Sequence, residues 1–146
     1  MTPDLKIMLD RVVAEVFNED FVVVNRSSDD PAFSTSVQVS SRSHEERSAV
    51  IRVDPVWVEV FIPELKVHIG LVVDDYGEEG DEELEAYREA ELRKLCRVMR
   101  SYLLGGGRVT TRRRLFGRGR TFVLKIEADG FEWRLGQNYS SGPKPV

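Results

Sequence analysis

Polar and apolar positions along this chain fall into two periods. Leu5, Met8, Leu9, Val12, Val16 and Phe17 recur at three-and-four spacing behind Thr2-Pro3, an N-cap followed by proline at the first helical position, so Thr2 to Asn18 reads as an amphipathic helix. Phe21 to Asn25 is a short β-branched run. Phe33, Thr35, Val37 and Val39 then alternate with Ser34, Ser36, Gln38 and Ser40, the period of a half-buried strand, with Asp29-Asp30-Pro31 as the turn before it. Ala49 to Val53 and Val56 to Ile62 are two apolar runs split by Asp54-Pro55, where a proline that cannot donate to a ladder marks a turn, bulge or edge. Val67, Ile69, Leu71 and Val73 share one face of the next run, with His68 and Val72 on the other. Connections this short predict an antiparallel meander.

Asp81-Glu82-Glu83 opens a long helix carrying Leu84, Tyr87, Leu95, Val98, Met99 and Tyr102 at helical spacing, and Gly105-Gly106-Gly107 ends it. Arg108 to Phe116 and Thr121 to Glu127 follow as strands joined by a Gly117-Arg118-Gly119-Arg120 turn, and Asp129-Gly130 is a hairpin signal before Phe131 to Leu135. Gln137 to Val146, polar and rich in Ser, Gly and Pro, reads as a frayed tail. The order α-β-β-β-β-β-α-β-β-β predicts an α+β domain over 1–136, with an antiparallel sheet of about six to eight strands, two amphipathic helices and a flexible 137–146 segment.

Length and composition narrow the classes. A chain of 146 residues suits one domain with its own core. Its single cysteine and two histidines exclude a disulfide framework and a zinc site built on four cysteines or on two cysteines and two histidines. No apolar stretch approaches the ~20 residues of a membrane helix, and Met1-Thr2-Pro3-Asp4 lacks a signal peptide's basic and apolar regions, so the expectation is a cytoplasmic protein without cofactor or metal.

Net charge, −4 from 21 bases and 25 acids, conceals a segregation. Asp74 to Glu91 holds ten acids and one base, Arg88, whereas Leu92 to Lys125 holds eleven bases and no acid. Within the long helix this layout complements the macrodipole, and Glu89 with Arg93 forms an i,i+4 pair. Asp74, Asp75, Glu78 and Glu79 lie outside it, repel one another, and suit a surface that meets a basic partner. Arg112, Arg114, Arg118 and Arg120 make the following hairpin a β-ribbon able to enter a nucleic-acid groove, unless these arginines pair with the acids of the preceding helix and loop.

Other candidate chemistry is sparse. Neither His44, in a polar loop, nor His68, on a strand face, has a partner supplied by a recognisable motif, and both read as non-catalytic. Cys96 has Arg93, Arg97 and Arg100 around it on the helix, an arrangement that lowers a thiol pKa, but it also adjoins the apolar stripe and reads as a small buried hydrophobe. Gly105-Gly106-Gly107 follows a helix instead of preceding one, which fits a C-cap and not a phosphate loop. The acidic run lacks the spacing of a calcium-binding loop.

The strand faces give the remaining clue. If Val56, Val58, Val60 and Ile62 face the helices, then Trp57, Glu59 and Phe61 point the other way, joined by His68, Val72 and Val123. That face is either an interface or core beneath a helix placed on each side of the sheet. In order of elements the chain is similar to secretion chaperones and to some bacterial toxin-neutralising immunity proteins, a resemblance of architecture that assigns no residue a role. The reading it favours is a non-enzymatic protein-binding domain that masks a basic partner, a toxin or secreted effector, through Asp74, Asp75, Glu78, Glu79, Trp57 and Phe61, with a homodimer open. A nucleic-acid-binding protein and a small enzyme with an unrecognised site are the alternatives.

Overall fold

Period-two segments pair in the order in which they occur in the chain. In the computed structural model, which describes residues 5–26, 34–73, 81–113, 119–137 and 140–146, helix α1 (Leu5–Val16) leads into strands β1 (Phe21–Asn25), β2 (Thr35–Ser41), β3 (Ser48–Val53), β4 (Trp57–Ile62) and β5 (Val67–Val72). These strands form one antiparallel sheet in sequence order. Helix α2 (Asp81–Leu103) separates them from β6 (Arg108–Arg113), β7 (Arg120–Ala128), β8 (Phe131–Leu135) and β9 (Ser140–Pro145), a second antiparallel sheet, also in sequence order. The expected α+β class and order of elements are found. The strands divide between two sheets, however, instead of sharing one. Thr2-Pro3, Phe33 and the Asp29-Asp30-Pro31 turn lie outside the described residues.

The division follows from α2. Arg88, Leu92, Leu95, Cys96, Val98, Met99, Tyr102 and Leu103 are all buried. At 100° per residue they span roughly 160° of the helix, wider than the ~100° stripe that a single layer covers. One side of α2 packs on β3 and β4, and another on β7. The first sheet contributes Val37, Ile51, Val60 and Ile69, which lie in register across four strands, and the second contributes Leu124, Ile126, Trp133 and Leu135. Helix α1 lies on α2 and β2, so both helices cover the same face of the first sheet.

Local chemistry sets the turns. Asp54 Oδ1 accepts from the amides of Val56 and Trp57 at 2.8 and 3.0 Å, an Asx-turn that reverses the chain at Pro55. Val56 therefore sits in the turn, exposed, and does not join Val58, Val60 and Ile62 on the helix side. Asp129 and Gly130, both with positive φ (55° and 82°), form the two-residue hairpin that their sequence announces. Ser140–Pro145, expected as a tail, pairs with β8 across a register shift between Glu132 and Arg134. Pro143 and Pro145 are compatible with this strand because it lies at an edge and is irregular.

Charged side chains join elements more than they brace single helices. The expected Glu89–Arg93 pair is not what forms. Arg11 bonds Glu89 through both Nε (2.9 Å) and Nη2, and Arg93 bonds Glu15, so both ion pairs tie α2 to α1. Arg93 also holds the exposed Glu15 carboxyl below its usual range, chiefly through that hydrogen bond.

A second clamp holds the end of α2. Arg47 Nη1 donates to the carbonyls of Tyr102 (2.7 Å) and Gly106 (2.9 Å), and its guanidinium lies 4.6 Å from the centre of the Tyr102 ring. The Tyr102 hydroxyl donates to Glu64 Oε1 at 2.8 Å, while Glu64 accepts from the Ser48 amide and hydroxyl at 2.6 and 2.9 Å. Carbonyls left over at the helix C-terminus thus find donors on the first sheet.

Two outcomes follow. Leu92→Ala and Leu95→Ala should each cost about 2–5 kcal/mol in urea denaturation, and Val72→Ala, on the open side of β5, about 0.5 kcal/mol or less. Burial and the bond to Glu64 push the Tyr102 hydroxyl above its usual range. Its raised folded pKa makes its contribution complete below the ordinary tyrosine value of about 10 and lost as pH rises above it. Tyr102→Phe should lower the melting temperature at pH 7 by removing a bond worth about 1 kcal/mol, and should flatten the alkaline decline seen in the native chain.

Candidate functional site

With both helices on one side, alternation within each strand sends the other half of its side chains outward. Across the first sheet this outer face runs in rows: Val24, Gln38, Val50, Phe61 and His68 in one, and Ser36, Arg52, Glu59 and Gly70 in the next. Trp57 stands opposite Val72 at the end of the sheet. Phe61 is half-buried between its cross-strand neighbours, whereas Trp57 keeps 37% of its surface exposed, Val72 68% and Val24 53%. Trp57 and Phe61 therefore share a face, as their spacing predicts, and neither helix packs on it. Val123 does not belong to that face. It lies on β7 in the second sheet, buried.

Arg52 lies in the row beside Trp57. Its guanidinium carbon lies 5.2 Å from the centre of the indole, and its buried Nε has no hydrogen-bond partner among the described residues. The ring is thereby held by a cation on one side while 37% of the residue's surface stays exposed, the posture of a preorganised aromatic contact. Val73, whose amide bonds the Val56 carbonyl at 2.6 Å, ends the described part of this edge, and Asp74 and Asp75 are the next residues in sequence. Asp74, Asp75, Glu78 and Glu79 themselves lie outside the described residues.

Of the basic ribbon, Arg114 and Arg118 lie outside the described residues, and for Arg112 and Arg113 only the backbone is described, opposite Thr121 and Arg120. Arg120 is exposed and stands opposite Arg113, as Arg108 stands opposite Lys125. Like charges directly opposite are unfavourable in a sheet. Arg108, Arg120 and Lys125 make no ion pair with a described acid, so internal neutralisation by α2 is not found for these three. Three cations of α2 do pair: Arg93 with Glu15, Lys94 with Glu91, and Arg97 with Asp129 at 3.6 Å.

The remaining candidates are spoken for by structure. His68 Nε2 donates to the Gln137 carbonyl at 3.1 Å, and its amide bonds the Gly136 carbonyl, so this histidine sews β5 to the second sheet. His44 Nδ1 lies 3.0 Å from Ser43 Oγ, which lies 2.9 Å from Ser41 Oγ. That chain of three neighbours was not legible as a motif, and no described carboxylate orients the ring as a nucleophilic site requires. The amides of Gly105 and Gly106 are consumed by the carbonyls of Tyr102 and Ser101, which leaves them unable to cradle phosphate. Among the described residues no three His, Cys, Asp or Glu side chains gather closely enough to hold a metal ion, and no helix is long and apolar enough to cross a membrane. A polar cleft of about 730 Å³ opens at the ends of α1 and α2 beside the β7–β8 turn, but Arg97 and Asp129 pair across its lining.

Cys96 is fully buried, and desolvation drives its thiol pKa well above the ordinary value, outweighing the opposing charge of Arg93. In the native chain a thiol-specific disulfide reagent at pH 8 should label Cys96 only at the rate of unfolding, and at once in denaturant. Fast labelling of folded protein would show an accessible thiolate instead. No protein-family model, curated protein or solved structure matches this chain.

Proposed function

We propose that this chain is a protein-binding domain that holds its partner on the outer face of the first sheet, with Trp57 as the anchor, Val72 opposite it, and Phe61 and Val24 farther along the same face. The observation that carries the reading is that two helices cover one face of the sheet and leave Trp57, opposite Val72, exposed on the other. Exposed aromatic side chains are enriched at protein interfaces. The acids at Asp74, Asp75, Glu78 and Glu79 follow the end of β5 in sequence, so a basic partner fits this side best, drawn in by long-range attraction that salt screens. A non-enzymatic cytoplasmic protein that masks a basic surface, as a bacterial immunity protein or secretion chaperone does, is the functional class that unites these features.

A second reading rests on the β6–β7 ribbon, where Arg113 stands opposite Arg120 and Arg108 opposite Lys125, and where Arg108, Arg120 and Lys125 make no ion pair with a described acid. Bases arranged in this way suit a phosphate backbone. The two readings part in one experiment, affinity capture from the source organism at low and high salt. The first expects a single basic protein, bound about thirtyfold or more weakly by Trp57→Ala and weakened at low salt when Asp74, Asp75, Glu78 and Glu79 become Ser, with melting temperatures unchanged. Nucleic acid that co-purifies and is lost when Arg112 and Arg120 are replaced would overturn it.

A further inference from the structure

The sheet edges of this fold are not equally closed. At β5 the second sheet abuts the edge through the His68–Gly136 bridge. The β6 edge carries Arg108, Arg112 and Arg113, and the β9 edge carries Pro143, Lys144 and Pro145, the two residue classes that blunt an edge against further pairing. β1 has neither. Its sequence Phe21-Val22-Val23-Val24-Asn25 contains no charge and no proline, β2 is its one strand partner among the described residues, and Val23 keeps 44% of its surface exposed.

The direction of its backbone is fixed by the bonds at either end. Arg42 N bonds Asp20 O at 3.0 Å and Arg26 N bonds Ser36 O at 2.9 Å, so even-numbered residues of β1 turn their amides and carbonyls toward β2. The N–H and C=O of Val23 therefore point to the open edge. An antiparallel copy of β1 centred on Val23 meets this edge in matching register. Val23 then faces Val23, exchanging both backbone bonds, and Val22 faces Val24. One step beyond the strand, Asp20 faces Arg26. Both are exposed in the single chain and lie on the same side of the sheet, so the register that pairs valine with valine also pairs acid with base twice about the two-fold axis.

We propose that the chain forms a two-fold dimer through β1, joining two five-stranded sheets into one of ten. The helices leave room for this. Each α1 sits over β2, and two β2 strands on either side of a β1–β1 pair stand about 14 Å apart at the spacing of a sheet. That exceeds the 8–10 Å at which helices pack, so the α1 helices do not collide. The inference does not depend on the partner proposed for the outer face.

Sedimentation velocity on the full chain across a concentration series reads the dimer, and a chain that stays monomeric at its highest soluble concentration overturns it. Val23→Pro removes only the outward N–H and should abolish the dimer with the β1–β2 ladder intact. If that variant fails to fold, two others decide. Arg26→Asp should weaken the dimer by roughly two- to thirtyfold, and combining it with Asp20→Arg should restore it. Val23→Cys should oxidise to a disulfide-linked dimer, because hydrogen-bonded antiparallel pairs place their Cα atoms about 5.5 Å apart, within disulfide range. Cys96 is buried and does not compete. Loss without restoration in the charge exchange, or no cross-link in the Val23→Cys variant, would refute this register.

Discussion

Everything in this fold depends on α2 having two apolar sides. A helix at the surface of a domain needs only one stripe, and its opposite face dissolves in water. Here Leu92, Leu95, Cys96, Val98, Met99 and Leu103 are fully buried together, which requires a layer on more than one side. The first sheet and α1 supply one, and β7 and its neighbours supply the other. The second sheet is thus less an appendage than the lid of a core that would otherwise stay half open.

That dependence explains what the sequence disclosed and what it withheld. Period-two alternation in Thr35 to Ser41 and the three-and-four spacing of α1 are local signals, and the elements they announce are present. Asp129-Gly130 and Asp54-Pro55 act within a few residues and are equally readable. The number of sheets is different in kind, because it depends on which strands meet across α2. Leu92, Cys96 and Leu103, which widen the buried arc of α2, were the available signal, but a stripe drawn through Leu95, Val98, Met99 and Tyr102 looks complete without them. Composition misled at Ser140–Pro145 for a physical reason: serine, glycine and proline mark a frayed end and an irregular edge strand alike.

The aromatic face was legible for the same reason as the strands. Once Val58, Val60 and Ile62 are assigned inward, Trp57 and Phe61 must point outward, and only the choice between two covered faces and one required coordinates. Arg52 was not legible in that role. Its position over Trp57 follows from the register of β3 against β4, which no local pattern states. The ion pairs show the same limit, since Glu89 and Arg93 satisfy a helical spacing rule and yet each finds a better-placed partner on α1, 78 residues away in sequence.

The placement of α2 bears finally on how the chain matures. Strands β1 to β5 are neighbours in sequence and in space, so their ladders close short loops and can form early. The inner face they create, with Ile51, Val60 and Ile69, stays uncovered until Leu103 has been synthesised. Arg47 cannot reach the Gly106 carbonyl, 59 residues downstream, any sooner. During translation the nascent protein therefore presents a sheet apolar on its inner side, flanked by the unguarded edge of β1, for as long as the ribosome takes to deliver α2. A growing chain of this design has that apolar face open to misassociation throughout the interval.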